Sequence, residues 1–141
     1  HVIEHICNTD LFVKEMYRIL RGGGYAIVAT PNLAAWYNVL FLILGQNPPS
    51  AAVSDVALLG LMERRIWAGR YTDGVGHQGS NRHRRLFVRS TLMGLLQYHG
   101  FHCDKIARSG FPPLPWPLAD LVCRVLPMYA WQIMVRAKKP A

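Results

Sequence analysis

Apolar residues recur with a helical period in the stretch NTDLFVKEMYRILRGGG, where Phe12, Met16, Ile19 and Leu20 fall on one face of a helix. Asn8 or Thr9 suits the cap, Asp10 the positive first turn, and Arg18 and Arg21 the negative end. Gly22 is placed to take the left-handed stop. YAIVAT follows as a short apolar run closed by Pro31, which predicts a buried strand over 25–30. A second apolar stretch, Leu33 to Leu44, predicts a buried or interfacial helix closed by Gly45. After the break at NPPS, a helix capped by Ser54 is expected from Asp55 to Trp67, then a glycine-rich polar loop, AGRYTDGVGHQGSNRHRR. Order resumes after Ser90, a suitable cap, with Leu92, Leu95, Leu96 and His99 on one side of a helix that Gly100 ends. A strand over 101–107 carries Phe101, Cys103 and Ile106 on alternating or bulged positions. A proline–aromatic loop becomes a short helix from Leu118 to Leu126, and a strand over 130–137 closes with a basic end. Helices alternating with strands predict an α/β architecture.

Composition narrows the picture. The 141 residues are about one domain long, and 51% are apolar against 17% charged, which suits a packed core and excludes a disordered chain. The apolar run at 33–44 is short of the roughly 20 residues that a bilayer span needs. Three cysteines, Cys7, Cys103 and Cys123, are far apart and never paired as C-x-x-C. That argues against a disulfide framework or a thiolate zinc site and for a reduced, cytosolic setting. The chain starts at His1 with no secretory pattern, and residue 1 is expected to be a break in a longer protein. Seven of the twelve arginines lie between Arg64 and Arg89 with only Asp73 among them, within a net charge of +8. Such a cluster suits phosphate, nucleic acid or an anionic membrane surface, or equally a solvated basic face.

Two motifs invite chemistry. The glycines Gly22, Gly23 and Gly24 lie after a helix and before a strand, the reverse of a phosphate-cradling loop, so they are a helix stop and turn. His1-x-x-Glu4-His5 matches the inverted zinc-hydrolase pattern, with both histidines on one helical face beside a glutamate. That chemistry needs a third protein ligand, and neither His77, His83, His99 nor His102 has a spacing that singles it out. Against it stands the plainer reading of Glu4 and His5 as polar residues at a helix start.

Taken in order, VIEHI, FVKEMYRILRGGGYAIVATPN, RHRRLFVRSTLMGLLQYHGF and MVRAKKP resemble the C-terminal half of a class I S-adenosylmethionine-dependent methyltransferase of the type 11, 12 and 23 kind. The first resembles the segment after that family's fourth strand, the second its helix, glycine turn and fifth strand, and the last its final strand. The third resembles the pattern H-x-R-x-F, apolar helix, Gly-Phe, carried by His83, Arg85, Phe87, Gly100 and Phe101. The resemblance implies an incomplete Rossmann-like sheet flanked by helices, with strands at 25–30, 101–107 and 130–137 and the last antiparallel. Residues 1–141 would be the C-terminal part of a single methyltransferase domain, with 33–75 as an insertion or lid. The N-terminal strands and glycine-rich cofactor loop would be missing, leaving no cofactor-binding residues in this piece, which by itself would be inactive.

The implied reaction, in the complete protein, is methyl transfer from S-adenosylmethionine to a small-molecule or lipid-linked acceptor. His5, as general base, and Glu4 would be the catalytic residues, while Asn32, His83 and Arg85 would lie on the substrate side. Some relatives, among them ubiquinone O-methyltransferases and small-RNA 2′-O-methyltransferases, carry Glu-x-x-Glu-His here and hold a divalent metal with it. This chain has His1 in place of the first Glu, so no metal is assigned, with His1, Glu4 and His5 as the alternative ligand set, softer toward zinc or iron. An amphiphilic substrate and a membrane-peripheral location fit the aromatic and arginine-rich 33–89 region, and nucleic acid is the less favoured partner. The competing readings are a non-catalytic membrane- or partner-binding remnant and a zinc hydrolase.

Overall fold

The computed structural model describes residues 1–51 and 83–141. The helix expected over 55–67 with its Ser54 cap, most of the glycine-rich loop, and Arg64, Arg65, Arg70 and Arg82 lie outside the described residues.

The described residues form a mixed α/β unit of one three-stranded sheet and four α-helices. In chain order these are α1 (Thr9–Ile19), β1 (Tyr25–Pro31), α2 (Trp36–Ile43), α3 (Arg89–Tyr98), β2 (His102–Ser109), α4 (Trp116–Val125) and β3 (Gln132–Lys138). Short 3₁₀ turns at Ile3–His5 and Pro127–Tyr129 precede α1 and β3.

Asn8 caps α1, its side-chain oxygen accepting from the Leu11 N–H at 2.9 Å. Val13 is fully buried, with Phe12, Met16, Tyr17 and Leu20 packed around the core, whereas Ile19 is 71% exposed and does not belong to the stripe. The left-handed residue of the following turn is Gly23 (φ +74°), one position beyond the expected Gly22. Lys139 closes the end of α1 from the far end of the chain. Its Nζ donates to the carbonyls of Tyr17 (2.9 Å) and Leu20 (2.8 Å) and sits 4.6 Å from the Tyr17 ring centroid, where a cation meets both orphan carbonyls and the negative helix end.

Helix α3 starts one residue before the expected Ser90. Thr91 Oγ1 accepts from the Val88 N–H and donates to the Val88 carbonyl, so the threonine one turn in does the capping. Leu92 and Leu96 are fully buried and Leu95 and His99 partly so, as the spacing predicted. His99 Nε2 stands 2.9 Å from Asp10 Oδ1, tying α3 to α1.

The sheet order is β1-β3-β2, with β3 antiparallel to both neighbours. The register pairs both Pro31 and Ser109 with Gln132, so β1 and β2 run parallel to each other on either side of the last strand. All three expected strands are present, and the expected irregularity in β2 is a register shift between Cys103 and Lys105. On β3, Ile133, Val135 and Ala137 alternate into a core shared with Ile3, Val13, Val28, Phe87, Leu92, Leu96 and Phe101. Strand β1 is not the fully buried strand its composition predicted: Ile27, on the opposite face from Val28, is 67% exposed. On the other face of β2 and β3, Asp104 and Arg136 form a bidentate pair, and that guanidinium pulls the Asp104 carboxyl down to about 2.

The topology gathers several elements at one end of the sheet. Helix α2 leaves the C-terminal end of β1, the loop into α4 leaves that of β2, and the Pro127–Tyr129 turn enters β3 there. Asn32 ties them together. Its Nδ2 donates to the Met128 and Ala130 carbonyls, both at 2.8 Å, and its Oδ1 accepts from the Ala34 N–H at 3.1 Å. Its backbone N–H donates to the Trp131 carbonyl (2.8 Å), and its carbonyl accepts from Asn38 Nδ2 (3.0 Å).

Candidate active site at the C-terminal ends of β1 and β2

Ile3 anchors the Ile3–His5 turn in the core, and this packing carries Glu4 inside with it. Glu4 is 1% exposed, and among the described residues neither carboxyl oxygen accepts a hydrogen bond. Its backbone carbonyl accepts from the N–H groups of Arg84 (2.7 Å) and Arg85 (3.0 Å). That clamp brings the 83–85 segment against the turn, and a bridge between Asn32 and Phe87 holds the same segment beside the end of β1.

Three side chains converge as a result. Ligand-type atoms of Glu4, His5 and His83 all lie within 4.8 Å of one another, and the two imidazoles are tilted at 52° with centroids 5.2 Å apart. His5 Nε2 is 3.8 Å and His1 Nδ1 3.3 Å from Glu4 Oε1, but His1 stands outside the converging set. His83 Nδ1 lies 3.3 Å from the Ser50 carbonyl. A carbonyl only accepts, so Nδ1 carries the proton and the lone pair of the neutral ring is on Nε2.

Burial lowers the His83 pKa below its ordinary 6.5, and nearby His5 adds to the effect, while Glu4 and the Ser50 hydrogen bond oppose it. The folded state therefore holds this ring neutral where the unfolded chain would protonate it. As pH falls through about 6.5 the unfolded chain binds the extra proton, so stability declines with acidification until the lower folded value is passed. His83→Gln is expected to flatten that part of the melting-temperature profile. A slope identical to that of the unmodified chain would refute the assignment.

The other singled-out residues are placed as follows. Arg85 donates through Nη2 to the Cys7 carbonyl at 2.9 Å, so its guanidinium braces the segment before α1. The amide of Asn32 is fully engaged with backbone. Buried polar atoms without a hydrogen-bond partner among the described residues are both oxygens of Glu4, Thr30 Oγ1, Asn38 Oδ1 and Ser50 Oγ. Thr30 is the penultimate residue of β1, Asn38 lies in the helix that leaves it, and Ser50 contacts His83 through its carbonyl, so these atoms belong to one end of the sheet. Sequence spacing could not place His83 against Glu4 and His5, because the contact depends on a backbone clamp between distant segments.

Chemically, a buried carboxyl beside two imidazoles can hold a proton on nitrogen, or hold a cation between one oxygen and two nitrogen donors. No known protein-family profile and no curated protein matches the chain. Among solved structures it is similar to a SAM-dependent methyltransferase from Archaeoglobus fulgidus, with 16% identity and a TM-score of 0.46. The match covers 99% of this chain and 56% of that one, so the chain spans a little over half the length of that protein, and a likeness of this extent carries no argument about activity.

Proposed function

We propose that the chain is the acceptor side of an S-adenosylmethionine-dependent methyltransferase acting on a small-molecule or lipid-linked acceptor. The observation that supports this most is the arrangement of the motif-bearing segments. The last strand is antiparallel, as the sequence resemblance implies, it lies between two parallel strands, and Glu4, His5 and His83 meet at the ligand-gathering end. The described residues do not fit the methyl donor itself. The link from β1 to α2, residues 32–35, contains no glycine, and the triple glycine runs from a helix into a strand. In this reading the donor is held by residues outside this chain, and no step is derived through it.

What these residues do is handle the acceptor. Methyl transfer to a hydroxyl removes its proton, and His5, partly exposed beside the buried carboxyl, is positioned to take it. Glu4 then stabilises the imidazolium, which is worth more at a buried site than in water. The neutral Nε2 of His83 offers a second acceptor for the substrate's polar hydrogen.

A second reading is favoured by the unpartnered Glu4 oxygens and by the Ser50 tie on His83, the kind of outer bond that fixes ligating imidazoles. Glu4, His5 and His83 would then hold a divalent cation, which would polarise an acceptor oxygen as a Lewis acid. The test of the main reading is to express the intact reading frame containing His1–Ala141 and titrate it with S-adenosylmethionine. Saturable binding, with a strand and G-x-G-type turn encoded upstream of His1, is expected; absence of both overturns it.

A further inference from the structure

We infer that the end of the sheet carrying the Glu4–His5–His83 cluster docks on an anionic lipid bilayer surface. Helix α4 turns Ala119 and Cys123 inward, yet beside the exposed Asp120–Arg124 ion pair it also carries an outward apolar arc, with Leu118, Leu121 and Val125 exposed and Trp116 70% exposed at its start. A helix apolar on the side away from its own core is built to bury that side against something else. At the end of α2, Ile43 and Leu44 are exposed as well. The start of α2 is tied to the loop that leads into α4: Trp36 donates its indole N–H to the Pro112 carbonyl at 2.7 Å and stacks on Phe111.

The surroundings select the occupant. Arg84 and Arg85 are exposed at the same end, beside the Phe87–Asn32 bridge, and the chain carries a net charge of +8. A second copy would bring like charge against like charge, whereas anionic headgroups complement the arginines while the outer acyl region takes the aliphatic side chains and the tryptophan. No helix among the described residues is long and apolar enough to cross a membrane, so the proposed contact is with the surface. This inference stands apart from the methyl-transfer reading, since it concerns only surface chemistry.

The test is sedimentation of the chain with vesicles of equal parts phosphatidylcholine and phosphatidylglycerol, compared with phosphatidylcholine alone. Partition to the anionic vesicles is expected, weakened by roughly tenfold or more in neutral vesicles or high salt. The double variant Leu121→Asp, Val125→Asp should lose more than about tenfold, with its far-ultraviolet circular dichroism unchanged. Should that variant misfold, quenching of tryptophan emission by brominated acyl chains decides instead: it is expected in the unmodified chain and reduced in Trp116→Phe. No partition of the unmodified chain, equal partition of a folded Asp variant, or quenching that does not depend on Trp116 overturns the inference. A dimer that the Asp variant dissociates while vesicle binding stays unchanged also overturns it, in favour of a second copy.

Discussion

Asn32→Ala is expected to lower the unfolding free energy by about 3 kcal/mol, measured by denaturant titration. The substitution removes two donors and one acceptor from a side chain whose residue is buried, leaving the Met128 and Ala130 carbonyls and the Ala34 N–H to find other partners. Asn32→Asp separates this from a general loss of volume. It keeps the acceptor for Ala34 but sets oxygen against two carbonyl oxygens, so its effect should equal or exceed that of Ala. The physical point is topological: this one amide joins the end of β1 to the turn that starts β3. Were Asn32 chiefly a substrate contact, both variants would melt like the unmodified chain.

Glu4→Leu should give the opposite pattern, with stability unchanged or raised by about 1 kcal/mol. Neither Glu4 oxygen accepts a hydrogen bond among the described residues, so the native side chain is dehydrated without full compensation, and a leucine of similar volume removes that cost. The backbone clamp to Arg84 and Arg85 uses the Glu4 carbonyl and survives the change. If the proposed chemistry holds, transfer by the intact protein falls by about 10²-fold or more, because the imidazolium on His5 loses its counter-charge. The His83 pKa should drop further as well, since Glu4 is the larger of the two influences that raise it against burial, and NMR titration of the ring reads that directly. A loss of roughly 3 kcal/mol or more in the Leu variant would instead make Glu4 a structural ion-pair partner.

Local signals in the sequence located the elements well. Asn8, the leucines of α3, the three strands and the bulge in β2 were legible because caps, periods and strand runs are properties of neighbouring residues. Errors came where a distant partner decides. Ile19 fits the helical spacing of α1, but nothing packs over it, and the turn takes its left-handed residue at Gly23. At the site, Glu4 and His5 stood out as a motif and His83 as part of another, yet their meeting required the Glu4 carbonyl to capture two amides. The engagement of the Asn32 amide was equally out of reach, because it depends on the approach of Met128 and Ala130. The outward apolar side of α4 was hidden because counting apolar positions does not say which of two apolar arcs meets the core.

Of the three described strands, the central one is also the last to be made. Because β1 and β2 each pair with β3 and not with each other, neither can complete its ladder while Gln132–Lys138 is still in the ribosome. Lys139, which closes α1 at the opposite end of the chain, emerges later still. Nascent chains should therefore hold two unpaired strand edges until Gln132–Lys138 clears the ribosome, the stage at which holdase chaperones matter most.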